Sequence, residues 1–143
     1  MRPLAVMAAG VALATVATAA SALVLATSWK GKVTGRGDSK ITGDAAITPS
    51  ADGTGAEVNV MIMGDTPGAT RPWHIHIGSC AAPGGVLGGG RSYTPITIDG
   101  SGHGMSKATL PVAVPDSGSY YVNIHESAGN MGSIVACGDL TKQ

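Results

Sequence analysis

The chain has no phenylalanine, and its aromatic residues amount to two tryptophans and three tyrosines in 143 positions. Glycine, valine, isoleucine and threonine are abundant instead, which points away from helices and toward short strands with many turns. An excess of charge is missing as well: nine Lys and Arg stand against nine Asp and Glu. With no basic run and no interleaving of basic and aromatic residues, nucleic acid is not expected as a partner. There are only two cysteines, Cys80 and Cys137, too far apart for a C-x-x-C redox pair. Ser79 and Ser133 lack a Gly-x-Ser-x-Gly setting, so no nucleophile elbow is expected. No phosphate-cradling glycine loop with Lys-Ser/Thr is present. Paired carboxylates for glycoside chemistry are absent too. A blue-copper centre needs His and Met close behind a cysteine thiolate, and Cys137-Gly138-Asp139-Leu140 offers neither.

No charge lies between Pro3 and Ser28, and the run from Leu4 to Ala26 is almost wholly Ala, Val, Leu, Thr and Met. Arg2 precedes it, and the small-x-small sites Ala12-Leu13-Ala14, Ala17-Thr18-Ala19 and Ala20-Ser21-Ala22 fall within or after its centre. This predicts a secretory signal peptide over residues 1–28. A stretch of ~20 apolar residues can also span a bilayer, so a retained anchor is the alternative, and membrane contact would be through this segment alone. Either way residues 29–143 are expected outside the cytoplasm, in a periplasmic, secreted or membrane-anchored protein, as one domain long enough to bury its own core. Two distant cysteines in an exported chain point to a structural disulfide.

Strand-length runs alternate with Gly, Pro, Asp and Ser at short intervals, which predicts an all-β sandwich or barrel. Strands are expected over residues 29–34, 40–48, 56–63, 72–77, 92–98, 105–112, 119–125 and 134–139. Ser50-Ala51-Asp52-Gly53, Asp99-Gly100-Ser101-Gly102 and Pro115-Asp116-Ser117-Gly118 read as turns between them. The glycine-rich stretch of residues 84–90 reads as a flexible loop. The expected fold is a Greek-key β-sandwich or flattened barrel of about eight strands.

The period of two also sorts side chains. In Trp73-His74-Ile75-His76-Ile77 the apolar residues share one face and both histidines the other. In Tyr120-Tyr121-Val122-Asn123-Ile124-His125 the same alternation sets His125, Asn123 and Tyr121 on the outer face. All three histidines are thus expected on the outside of the sandwich, converging if the two strands are neighbours. Two imidazoles on an His-x-His strand lie about 7 Å apart at Cα, and imidazole suits copper and zinc.

Longer motifs sharpen this reading. Ile41-Thr42-Gly43-Asp44-Ala45-Ala46-Ile47-Thr48, Pro72-Trp73-His74-Ile75-His76-Ile77-Gly78-Ser79-Cys80, Val122-Asn123-Ile124-His125-Glu126 and Gly129-Asn130-Met131-Gly132-Ser133-Ile134-Val135-Ala136-Cys137-Gly138 resemble, in order, segments of the copper/zinc superoxide dismutase family. The resemblance covers nearly all of residues 29–143. It implies a copper site of His74, His76 and His125, and a disulfide between Cys80 and Cys137. It also implies a chemistry in which copper alternately oxidises superoxide to oxygen and reduces it to peroxide.

The chain departs from the family in three places. Residues 81–93 contain no His, Asp or Glu, so the zinc site and the histidine bridging the two metals are expected to be missing. The segment between His125 and Cys137 is short. The family's arginine beside the metal, which attracts and orients superoxide, is Ile134 here. His103 falls in a turn where the family has a solvent-facing hairpin. Tyr121 and Asn123 are candidates for orienting the imidazoles, or plain decoration of an exposed strand. Met131 is a candidate axial contact. Met61 and Met63 read as half-buried packing on an outer face, although thioethers are soft ligands that suit Cu(I). Three functions stay open: a copper-dependent superoxide dismutase, a non-catalytic copper carrier of the envelope, and a structural sandwich that binds no metal. The partner is accordingly superoxide or a copper ion, and oligomeric state is not legible.

Overall fold

The computed structural model describes residues 26–143. The leader or anchor expected over residues 1–28 lies, but for its last few positions, outside the described residues. The end of that segment is tied to the domain. The Ser28 carbonyl accepts a hydrogen bond from Gln143 N at 2.8 Å, and Thr27 Oγ1 donates to Asp116 Oδ1 at 3.1 Å.

Strands form where apolar and polar residues alternate. They are β1 (Trp29–Gly35), β2 (Thr42–Pro49), β3 (Ala56–Met63), β4 (Thr70–Arg71), β5 (Trp73–Gly78), β6 (Pro83–Val86), β7 (Ile96–Thr97), β8 (Gly104–Leu110), β9 (Tyr120–Ser127) and β10 (Asn130–Lys142), with one 3-10 turn at Gly90–Ser92. Eight of them make a single sheet in the order β6-β5-β9-β10-β1-β2-β3-β8, and β4 pairs with β7 apart from it. Every pairing is antiparallel. β10 returns beside β1, β8 beside β3 and β9 beside β5, so long connections cross the ends as in a Greek key. The sheet curls into an open, flattened barrel, and the all-β, eight-stranded, disulfide-tied expectation holds.

The concave face is the core. Ile47, Val58, Val60, Ile62, Trp73, Ile75, Val122 and Ile124 are at most 1% exposed, and burying each such side chain is worth about 1.5–3 kcal/mol. Leu87, Tyr93, Ile96 and Ile98, from the segment joining β6 to β8, belong to the same cluster. β3 shows how directly the pattern dictates the element: its buried residues alternate along Ala56-Glu57-Val58-Asn59-Val60-Met61-Ile62-Met63 without a break, and its ends are those expected.

Several expectations are corrected. The strand expected over residues 92–98 shrinks to Ile96–Thr97, because Pro95 has no N–H to contribute to a ladder and the residues before it wind into the 3-10 turn. The stretch expected to be a flexible loop carries β6, an edge strand whose Pro83 pairs with Gly78 and Val86 with His76; proline is tolerated at such an edge. Ile77 shares the parity of Trp73 and Ile75 but is 51% exposed, since β5 runs past the rim of the core there. Met61 and Met63 are exposed rather than half-buried. The outer face of β9 is also not open to solvent, since Tyr121, Asn123 and His125 are all buried, while His74 and His76 on β5 are half-buried.

The cover over that face comes from distant sequence. Cys137 lies opposite Asn123 in the ladder of β10 with β9, so its side chain is on the outer face, where it forms a disulfide with Cys80. The cysteine loop is pinned from two further sides: Arg36 Nη2 donates to the Cys80 carbonyl at 2.7 Å, and Cys80 N donates to Asp139 Oδ1 at 2.7 Å. A cross-link over a sequence separation of 57 residues contributes about 4 kcal/mol in the chain-entropy description. Such a bond persists in an oxidising, extracytoplasmic compartment. Replacing Cys80 and Cys137 together by Ser is expected to lower the unfolding free energy by about 2–4 kcal/mol, read as a lower denaturant midpoint; an unchanged midpoint would show that the ladder holds the loop without the bond.

Candidate metal centre

The three histidines meet because β5 and β9 are neighbours in one register. His74 lies opposite Asn123, and His76 opposite Tyr121. His125 follows two residues after Asn123 on the same face. Its backbone N–H donates to the Pro72 carbonyl at 2.8 Å, which fastens the end of β9 to the start of β5. The ring centroids are 5.1 Å apart for His74 and His125, 5.8 Å for His74 and His76, and 6.2 Å for His76 and His125. One nitrogen from each ring lies within 4.8 Å of the others, at most about 1.5 Å more than the ~3.3 Å that two nitrogens on one tetrahedral ion adopt. The cluster can hold a metal ion.

Hydrogen bonds decide which nitrogen each ring presents. His125 Nδ1 contacts the Met131 carbonyl at 2.7 Å, and His76 Nδ1 contacts the Gly84 carbonyl at 2.9 Å. A carbonyl oxygen only accepts, so both rings carry their proton on Nδ1 and turn a lone pair on Nε2 inward. His74 Nδ1 approaches His125 Nε2 at 3.1 Å. Among the described residues just two buried side-chain polar atoms have no hydrogen-bond partner, His76 Nε2 and Tyr121 Oη. An orphaned, inward-facing imidazole lone pair costs free energy unless something fills it, and a metal ion is the group whose chemistry fits this set of donors.

Aromatic rings hold the imidazoles in place. Tyr121 stacks on His76 with centroids 5.1 Å apart. Tyr93 sets its ring edge-on to His74 at 5.0 Å and to Trp73 at 5.1 Å. Tyr93 Oη donates to the Leu87 carbonyl at 2.9 Å, and burial pushes its pKa up to about 12, so it stays a neutral donor. The side of His74 away from the cluster is close to Gly90, where an added Cβ would come within 3.4 Å of Nε2.

Arg71, just before the His-x-His segment, forms a fork with Asp65 at 2.8 and 2.7 Å and donates to the Glu126 carbonyl at 2.6 Å. That clamp joins the turn after β3 to the ends of β4 and β9. For the Asp65 carboxyl, burial pushes the pKa up, but the bonds from Arg71 and Thr66 outweigh it and hold it below the usual range.

Burial is the main reason that the His74 pKa falls to about 4, with His125 and His76 adding to it. Burial also lowers His125, partly offset by the bond to Met131 and reinforced by His76. Both rings are therefore neutral at pH 7, as ligands must be.

Of the residues singled out from sequence, the structure brings together His74, His76 and His125 and forms the Cys80–Cys137 bond. Tyr121 stacks on His76, and its hydroxyl makes no hydrogen bond. Asn123 is buried beside His74 in the ladder. Met131 acts through its carbonyl oxygen rather than its thioether. Ile134 lies opposite His125. His103 is exposed, in the turn before β8, and is not part of the cluster. Sequence reasoning missed the Gly84 and Met131 carbonyls, which no residue type signals. It also missed Tyr93, for which the scarcity of aromatics was the available signal. Neither a family model nor any curated protein matches this chain, and the likeness to the superoxide dismutases rests on the quoted motifs.

Two outcomes follow from this geometry. An added Cβ at Gly84 would run into the Ile77 carbonyl oxygen, so Gly84→Ala is expected to push β6 off β5 and release the His76 proton donor. Metal affinity should fall by about 10–100-fold in a competition titration with the fold retained by circular dichroism. The second outcome concerns pH. An unfolded histidine titrates near 6.5, whereas native His74 holds no proton until about pH 4. The unfolded chain therefore binds more protons between those values, and stability of the metal-free protein, full above pH 6.5, is lost as pH falls toward 4. In the metal-free protein the His74 ring should titrate at about pH 4 when followed by NMR; a midpoint near 6.5 would mean an ordinary, solvated imidazole.

Proposed function

We propose that the protein is an exported copper protein of the superoxide dismutase type, lacking the second metal, in which His74, His76 and His125 hold one copper ion. The observation that carries this reading is the orphaned Nε2 of His76, grouped with the neutral ring of His74 and with His125, whose ring proton is held by the Met131 carbonyl. Three imidazole nitrogens without thiolate or carboxylate suit copper, and the disulfide fits an oxidising compartment. The quoted motifs support the same family.

Copper held there would supply one-electron chemistry, oxidising one superoxide to oxygen and reducing the next to peroxide. The chain's own part is to hold the rings. The carbonyls of Met131 and Gly84 keep the ring protons away from the ion, Tyr121 and Tyr93 fix the ring planes, and the Cys80 loop covers the flank. Proton delivery to peroxide falls to water, since the remaining histidine, His103, is not part of the cluster.

A second reading, a copper carrier, is favoured by Ile134 opposite His125, which leaves that position on β10 without a charge to attract an anion. One experiment separates the two. The protein and a His74→Ala, His125→Ala variant are loaded with Cu(II), dialysed against a weak competitor, and assayed for superoxide decay. One copper per chain in the parent alone, with decay well above that of the variant, is the expected result. Copper without decay would leave the carrier reading, and no retained copper in either sample would reject both.

A further inference from the structure

The outer face of β3 and β8 carries a second cluster of metal-ligating side chains. The described residues contain four methionines, at 61, 63, 105 and 131, and none is buried in the core. Methionine ordinarily fills irregular gaps in a hydrophobic interior. Here the interior is made of Ile, Val, Leu, Ala, Trp and Tyr, while Met61, Met63 and Met105 are 44%, 41% and 72% exposed.

Three of the four are grouped by the register. Met61 lies directly opposite Met105 in the antiparallel ladder of β3 with β8, so their side chains project from the same face. Met63 follows two residues along β3, again on that face. His103 immediately precedes β8, two residues before Met105. Met61, Met105 and His103 line one surface concavity of about 170 Å³ with Gly104 and Asp99.

The turn that presents His103 is held firmly. His103 N donates to Asp99 Oδ1 at 3.0 Å, and the His103 carbonyl accepts from Asp99 N at 2.7 Å. The same carboxylate oxygen accepts from Ser101 N and Ser101 Oγ at 2.8 and 2.7 Å. Asp99 Oδ1 is thus committed to shaping the turn, and the concavity is lined by two thioethers and an imidazole with the Asp99 carboxylate beside them. Two thioethers and an imidazole make the set soft, poor for Mg²⁺ or Ca²⁺ and suited to Cu(I).

We infer that Met61, Met105 and His103 form a surface site for a single cuprous ion, separate from the three-histidine cluster, with Met63 as a further thioether at its edge. The step is binding alone, with no change of oxidation state. The site does not depend on the histidine cluster holding copper.

The test is an anaerobic titration of the full-length protein with Cu(I) against a chromophoric Cu(I) chelator, in the His74→Ala, His125→Ala background. That background removes the other cluster, so failure of the preceding proposal leaves this result readable. Met61→Leu with Met105→Leu conserves volume and apolar character while removing the sulfur. Expected is one Cu(I) per chain in the background protein, with sulfur neighbours in its X-ray absorption spectrum. The double leucine variant should bind at least about tenfold more weakly, a ligand mattering no less than the outer-shell partners whose loss costs about 10–100-fold. Equal binding by the leucine variant, a spectrum with only nitrogen and oxygen neighbours, or no Cu(I) retained by the background protein would each overturn the site. So would a methionine face buried in a dimer that excludes the chelator-competed ion, seen as a doubled mass on sedimentation together with absent binding.

Discussion

The antiparallel register of β5 against β9 is the constraint from which the rest of the molecule follows. Side chains alternate with a period of two, so a slip by one residue would exchange faces. Trp73 and Ile75 would leave the core, and His74 and His76 would enter it without partners. The apolar cost of that slip, several fully buried side chains at about 1.5–3 kcal/mol each, is what holds the imidazoles where they are. The histidine cluster therefore draws its placement from residues on the opposite side of the same two strands. The hairpin of β9 with β10 extends the effect. By setting Cys137 opposite Asn123, it brings the disulfide onto the face that carries the rings.

The cluster is locally unfavourable, and the surrounding packing sustains it. Burial that lowers the pKa of His74 and His125 disfavours their charged forms, and the inward lone pairs are partly unmatched. A fold with two unmatched buried polar atoms in one place, His76 Nε2 and Tyr121 Oη, departs from its own rules where function is expected to reside. Three of the chain's few aromatic rings, those of Trp73, Tyr93 and Tyr121, surround or back the cluster. A composition so sparing of aromatics has concentrated them where rigidity is needed.

Much of this was legible in the sequence. The strict alternation of β3 marks both of its ends, and the His-x-His segment shows which face each ring takes. The two cysteines pair as the motifs imply. What was not legible has a common cause. Alternation reports which side of a sheet a residue faces, not whether another segment lies over that side. Tyr121 is stacked on His76, and His125 is covered by the ring of His74 and the Met131 carbonyl, contacts that parity along one strand does not report. The Gly-rich segment looked like a loop because its composition carries no strand propensity, yet β6 is held there by pairing with β5. Exposed methionines read as packing because the sequence does not show that Met105 sits across from Met61.

Two ring protons at the cluster are held by main-chain oxygens, those of residues 84 and 131. Such a scaffold separates chemistry from residue identity. Position 131 can drift through many side chains without altering the acceptor it supplies, so long as the hairpin keeps its path. Position 84 is confined to glycine for a steric reason, the nearness of the Ile77 carbonyl, and not for any chemical one. Evolution can thus rewrite much of the lining of this cluster while its protonation pattern is inherited through the shape of the backbone.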